Sequence, residues 1–406
     1  MQLDIAFLPF RGTPVGQITC DRSHRDYDLC SINGPTLLDP RAATLHALDP
    51  TNLNPPTTSL KIRPYPRKSD EDAMSSVQEF NLTSFPPKFS CGVTHYSPAI
   101  VFSAGGYTGN FFHDFGDGFV PLFITVNSLF SNQDIILVIS DVRGWWPQKY
   151  VELLSRISNH PIIDLSKENT VHCFPSSIIG LVTHGTMKVD PNLLQQPKTL
   201  LSFHTFLENA YTQEITTQLT NRIENARPRM ILIGRKKNVS RVILNEKEVV
   251  KAAEEVGFDV VVFDPIKNSS LSNAFKLIAA SHAMLGVHGA GLTHFLFLRP
   301  GSVLMQVVPL AMEGASRSCY ESPGKDLGLK YIEYKIEAKE SSLLEIYGNS
   351  SLVIRDPQAV VGGEWKNMHL YLKNQNVKID LSRFRRYLRE AYEKAKRFMD
   401  IEGQDF

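Results

Sequence analysis

Three groups of residues have the types and spacing to act on a phosphorylated, hydroxyl-bearing ligand. The first is Met284-Leu285-Gly286-Val287-His288-Gly289-Ala290-Gly291-Leu292-Thr293, which reads as a strand, a glycine-rich turn and the start of a short helix. Glycines let the backbone come close to a ligand, and a helix start offers free amides and the positive end of a dipole. Backbone at Gly289, Ala290 and Gly291, a donor from His288 and the Thr293 hydroxyl would suit a diphosphate; tight packing is the competing reading of such a turn. The second group, Gly234-Arg235-Lys236-Lys237-Asn238-Val239-Ser240-Arg241, places four cations at the C-terminal end of a predicted strand, where doubly wound sheets bind ligands. It can clamp phosphate oxygens or form a solvated basic loop.

The third group is Gly105-Gly106-Tyr107-Thr108-Gly109-Asn110 followed by Phe111-Phe112-His113-Asp114-Phe115-Gly116-Asp117. A helical start puts His113 and Asp117 on one face. A carboxylate beside an imidazole can take a proton from an attacking hydroxyl, with Asp117 as base and His113 as second choice or as the group that orients it. The same residues can instead be a capping cluster. Trp145-Trp146 offers aromatic platforms for sugar rings or interior packing.

Two other chemistries fit less well. His-Gly-Ala-Gly is similar to the oxyanion-hole turn of α/β-hydrolases, which need a Gly-x-Ser-x-Gly elbow. The nearest segment, Gly314-Ala315-Ser316-Arg317-Ser318, lacks the last glycine. Asp70-Glu71-Asp72 has the letters of a metal-binding Asp-x-Asp but no strand before it, so no essential metal is expected and the cations are expected to replace it.

The elements that must position these groups follow from apolar periodicity. Ala99-Ile100-Val101-Phe102, Ile135 to Ile139 and Ile178 to Val182 are runs of buried-strand length, with helices predicted over Gly118 to Phe130 and Tyr150 to Ser158. A second alternation has strands at Met230 to Gly234, Val260 to Phe263, Ala283 to Gly286 and Val303 to Val308, with helices from Asn245 to Val256 and Leu271 to His282. Asn245 and Glu248 have capping-box spacing, and Gly257 is a stop. Strands alternating with helices imply doubly wound parallel sheets. The expected organisation is an irregular Pro-rich lead-in over 1–87, one α/β domain over 88–220, a second over 221–375, and a last amphipathic helix within 376–406 that packs back on the first domain.

Among 406 residues, 43 Lys plus Arg balance 42 Asp plus Glu, which argues against nucleic acid as partner. No apolar run approaches bilayer length and the N-terminus has no signal-peptide pattern, so the chain as given is expected to be soluble. Its five cysteines contain no CxxC pair; Cys20 and Cys30 either close a disulfide in an oxidising compartment or stay free thiols. Asn81, Asn238, Asn268 and Asn349 are glycosylation sequons if the chain is secreted.

Together, Asn110-x-x-His113-x-Phe115-x-Asp117 with Pro121-Leu122-Phe123, Arg235 to Arg241 with Ile243-Leu244-Asn245-Glu246, and His288-Gly289-Ala290-Gly291-Leu292-Thr293 resemble glycosyltransferase family 61. Ser103 to Asn110, Trp145-Trp146 and Glu340-Ser341-Ser342-Leu343 look like its plant xylan-modifying branch. The resemblance implies a GT-B architecture, two Rossmann-like domains facing a cleft, and inverting transfer of a pentose, xylose or arabinofuranose, from a uridine diphosphate sugar to xylan. It implies donor contacts from Arg235, Lys236, Arg241, Asn245, His288, Gly289, Ala290, Gly291 and Thr293, and acceptor-side shaping by Gly106, Tyr107, Asn110, Trp145 and Trp146. Animal relatives tend to carry glutamate where this chain has Gln306. The implied location is the Golgi lumen, with a short N-terminal membrane anchor that this sequence does not display. The competing readings are N-glycan β-1,2-xylosyl transfer and a non-catalytic polysaccharide-binding or scaffold subunit.

Overall fold

The structure, a computed structural model, describes residues 14–48, 58–85, 87, 90–130, 133–212, 227–235, 239–265 and 270–403. Lys236, Asn238 and Asn268 lie outside them. The chain divides into two units, Met1–Thr199 and Leu200–Phe406.

The first unit contains β1 (Gln17–Asp21), β2 (Leu29–Asn33), β3 (Thr36–Asp39), β4 (Thr44–Ala47), β5 (Ser59–Ile62), β6 (Phe80–Thr83), β7 (Val93–Thr94), β8 (Ala99–Ser103), β9 (Ile136–Ser140), β10 (Ile163–Asp164), β11 (His172–Phe174) and β12 (Ser177–Ile179). One sheet has the order β1-β2-β12-β8-β9-β10, and its β12-β8-β9-β10 part is parallel. Every residue of β8 and β9 is buried, as expected of strands covered on both faces. The second sheet has the order β5-β6-β4-β3-β11-β7.

The irregular lead-in is corrected here, because β1 to β6 all fall within it and complete both sheets. Cys30, Ile32, Leu38, Leu45, Phe80 and Leu82 share one core with Ala99, Val101, Ile136 and Val138. Among the described residues the prolines of the lead-in fall outside its strands, which are four or five residues long, whereas Thr19, Thr36, Thr44 and Thr83 lie within them. Strands that short leave little local periodicity. Register sets Cys20 opposite Cys30, and the two form a disulfide; a second joins Cys91 to Cys173.

The second unit holds one parallel sheet of β13 (Arg229–Ile233), β14 (Asp259–Phe263), β15 (Ala283–Val287), β16 (Val303–Val308) and β17 (Lys330–Lys335), in the order β14-β13-β15-β16-β17. This is a doubly wound order whose direction of winding reverses between β13 and β15. The carboxyl ends of those neighbours form the crevice where such sheets bind ligands, and both predicted donor-binding segments begin there.

Helix Glu246–Val256 buries Val249, Ala252 and Ala253, and helix Leu381–Glu402 buries Phe384, Leu388, Ala391 and Ala395, all in the core under this sheet. The long helix starts on Asp380, whose carboxylate accepts from the Ser382 and Arg383 amides. Helix Leu200–Tyr211, placed by sequence in the first domain, packs against helix Leu271–Ala279 and the 3₁₀ turn Ala290–Phe297 of the second unit. Among the described residues no helix is long and apolar enough to cross a membrane.

Candidate active site

In the first unit, the chain leaves β8 through a glycine loop and enters a helix at Asn110, whose side chain accepts from the Phe112 amide as an N-cap. The short helix Phe111–His113 passes into a π-helical turn, Asp114–Phe119, and then into helix Val120–Leu129. Such turns cluster at functional sites, and this one sets His113 Nδ1 2.8 Å from Asp117 Oδ2. The same oxygen accepts from the Tyr65 hydroxyl at 3.0 Å and from Arg67 Nε at 2.7 Å. Gly106, at φ +54, makes room for Tyr65: a Cβ there would lie 2.6 Å from its ring.

These contacts fix a protonation pattern. A carboxylate only accepts, so the 2.8 Å approach requires a proton on Nδ1. Arg67 Nη2 also lies 3.3 Å from Nδ1, but a guanidinium only donates, and the closer carboxylate decides. His113 Nε2 has no hydrogen-bond partner among the described residues. Burial would raise the Asp117 pKa, yet the hydrogen bonds from His113 and Arg67 and the Arg67 charge outweigh it, so the carboxyl sits below its ordinary value. Asp114 is pushed the other way by burial, although the Gly109 amide and the Tyr150 hydroxyl donate to it.

Tyr107 tilts over the His113 ring at 4.7 Å and donates its hydroxyl to Asp70. Asp70 also caps helix Glu71–Met74, so the Asp-x-Asp letters serve local structure. Trp146 is buried and stacked on Phe119, which favours interior packing over the sugar platform among its two readings. Trp145 is partly exposed, with Lys149 Nζ 5.6 Å from its ring centre.

In the second unit, the β13 and β15 loops meet. Arg235 Nη2 and Arg241 Nη1 donate to the His288 carbonyl at 3.3 and 3.0 Å, and Tyr320 donates to the Gly289 carbonyl at 2.8 Å. Gly289 has φ +151, and a Cβ there would lie 1.7 Å from Arg235 Nη2, so the guanidinium can occupy this place only beside glycine. Arg241 is held at φ +62, its amide bonded to the Gln375 carbonyl. Strain of this kind persists only where surroundings over-determine it.

Among the described residues neither guanidinium has a carboxylate partner, and Arg241 Nε is buried without an acceptor. Burial, and then the Arg235 charge, lower the Arg241 pKa to about 10. His288 is buried; that burial and the charges of Arg241 and Arg235 hold its pKa down to about 3, so its ring is neutral. Two crowded cations without a carboxylate partner among the described residues, beside a glycine turn and a neutral imidazole, have the charge and the donors to hold an anion.

Other predicted residues have different places. Asn245 sits at the helix N-cap position without a side-chain cap bond; its carboxamide donates to the Ile379 carbonyl and accepts from the Ile379 amide, both at 2.9 Å. The capping box is therefore corrected, and the amide is spent on tying Ile379 to the start of helix Glu246–Val256. Thr293 is fully buried, with no surface to offer a ligand. Asn349 is exposed, and Asn81 is partly buried within β6. Sequence reasoning missed Tyr65, Arg67 and Tyr320. The first two lie in Arg63-Pro64-Tyr65-Pro66-Arg67, which bends at Tyr65 and Pro66, with the Tyr65 amide bonded to the Arg63 carbonyl and the Arg67 amide to the Tyr65 carbonyl.

The glycosyltransferase 61 family model matches residues 109–305. Xylan glycosyltransferase MUCI21 of Arabidopsis thaliana is 36% identical over 397 residues, covering 93% of this chain and 80% of that protein. Two proteins of Oryza sativa subsp. japonica are also similar. Alpha-1,3-arabinosyltransferase XAT2 is 33% identical over 92% of this chain and 64% of its own length. Beta-1,2-xylosyltransferase XYXT1 is 31% identical over 93% of this chain and 84% of its own length. The matched stretch runs from the glycine loop before His113 through the His288 turn, and relatives at 31–36% identity extend the likeness over nearly the whole sequence, so the chain belongs to glycosyltransferase family 61.

Proposed function

We propose that the protein is an inverting plant xylan glycosyltransferase that moves a pentose, xylose or arabinofuranose, from a uridine diphosphate sugar to the xylan backbone or its side chains. The observation that carries the donor half is the pair of guanidiniums, Arg235 and Arg241, left without a carboxylate at the Gly289 turn. As the anomeric carbon–oxygen bond breaks, its electron pair leaves with the diphosphate, and these cations with a His288 N–H hold the charge.

The acceptor half falls to His113 and Asp117. With Nδ1–H committed to Asp117, the free Nε2 lone pair takes the acceptor hydroxyl's proton while that oxygen bonds to the anomeric carbon. Asp117 holds the ring and stabilises the imidazolium that results. This exchanges the roles expected from spacing, because a carboxylate with a lowered pKa and three donors on one oxygen is a weak base. The architecture we propose is GT-B, with the base on one Rossmann-like unit and the donor-binding groups on the other. The name of the Arabidopsis relative supports xylan as acceptor, those of the two rice relatives support arabinosyl and xylosyl transfer, and two disulfides support an oxidising compartment such as the Golgi lumen.

The test is calorimetric titration with uridine diphosphate in the presence of a metal chelator. The expected result is binding by the wild type without added metal and at least about tenfold weaker binding by Arg235→Ala. Equal affinity in the variant would remove the cationic clamp; binding that appears only with a divalent ion would remove its metal independence.

A further inference from the structure

Gln306 lies within β16, fully buried, with its carboxamide between two polar groups. The Tyr331 hydroxyl donates to Oε1 at 2.7 Å, and Nε2 lies 3.0 Å from His288 Nδ1. Ser316 Oγ is 3.2 Å from the same Nδ1. A carboxamide has two orientations, and Tyr331 chooses between them. Were the amide reversed, its N–H would face the phenol oxygen, and the Tyr331 O–H, in a place where burial pushes its pKa far up, would have no acceptor among the described residues.

With Oε1 toward Tyr331, the amide N–H faces Nδ1, which must accept and so carries no proton. A neutral imidazole has one N–H, which then falls on Nε2. That atom has no partner among the described residues, while His288 keeps 5% of its surface exposed. Arg235 and Arg241 converge on the His288 carbonyl and oppose a doubly protonated ring.

We propose that Gln306 and Tyr331 are positioning residues that lock His288 as the Nε2–H tautomer, so that it presents one N–H to a phosphate oxygen of the nucleotide sugar. The ligand side of this inference rests on the donor-site reading above. The opposite tautomer would turn a lone pair toward the same oxygen and repel it. A glutamine suits the task because it donates to Nδ1; a glutamate in its place accepts, and draws the ring proton to Nδ1.

The test is nitrogen NMR of the full chain labelled in histidine, with the His288 signals identified by their loss in His288→Asn. The expected wild-type spectrum has Nε2 protonated and Nδ1 bare. Gln306→Glu is expected to move the proton to Nδ1 and weaken uridine diphosphate binding by about tenfold or more. Tyr331→Phe, which leaves the core volume nearly intact, is expected to give a mixture of tautomers. A wild-type proton on Nδ1 would overturn the lock itself. A tautomer change in Gln306→Glu without loss of affinity would overturn its role in binding. Unchanged affinity in Arg235→Ala would instead remove the donor site, and the phosphate contact with it, while the NMR readout of the tautomer stands apart.

Discussion

At Asp117 a single carboxylate oxygen receives Tyr65, Arg67 and His113. A proton arriving there would displace a donor and remove the nearer of the two carboxylates beside Arg67, leaving only Asp70 at 3.8 Å, whereas His113 Nε2 meets no such obstacle. His113→Ala is therefore expected to lower kcat by about 10²- to 10⁴-fold, the usual contribution of a general base. Asp117→Asn should lower kcat comparably, because an amide can turn its N–H toward Nδ1 and reverse the ring's tautomer. In both variants uridine diphosphate affinity should stay near wild type, since the donor cations lie on other elements. Steady-state kinetics beside calorimetry checks this, and a His113→Ala enzyme with normal kcat would return the base to Asp117.

At the scale of elements, the glycine turn works through the neighbour it admits. Gly289→Ala would place a methyl 1.7 Å from Arg235 Nη2 on a backbone at φ +151, so the guanidinium must leave. Uridine diphosphate affinity is expected to fall at least about tenfold, with the unit still folded by circular dichroism. Unaltered affinity would show that Arg235 is not needed in that place. The parallel strands β8, β9, β13, β15 and β16 were legible in the sequence because they are continuous apolar runs bounded by turn residues. The glycine turn and the basic loop were legible for the same reason, since each follows such a strand. Strands β1 to β6 were not: Tyr65 and Arg67 reach Asp117 from a Pro-rich stretch whose partners lie about 50 residues away, a separation no local pattern encodes. β17 was missed too, because Lys330-Tyr331-Ile332-Glu333-Tyr334-Lys335 alternates as an edge strand while the other strands of its sheet read as continuous apolar runs. Trp146 and Thr293 are residue types that serve a ligand or a core equally well, and only burial separates the two uses.

Across the molecule, folding holds several histidines neutral. Burial lowers the pKa of His184 to about 4, with Asp190 opposing; burial with the charges of Arg299 and Arg229 takes His282 to about 4; burial with Arg241 and Arg235 takes His288 to about 3. Each titrates near 6.5 once unfolded. Between about pH 4 and 6.5 the unfolded chain therefore binds more protons, so stability is full above that window and declines as pH falls through it. A melting temperature that drops steadily from pH 7 to 5 is the expected outcome in thermal unfolding, and a flat profile would contradict neutral burial of these rings. Pentosyl transfer to xylan is decided by incubating the purified protein with uridine diphosphate xylose or arabinofuranose and xylo-oligosaccharides, then determining the linkage formed. One donor is expected to give a pentosylated xylo-oligosaccharide with inverted anomeric configuration, and the product is expected to be lost in His113→Ala. Binding of uridine diphosphate without transfer from either donor would contradict it, and would leave a polysaccharide-binding subunit.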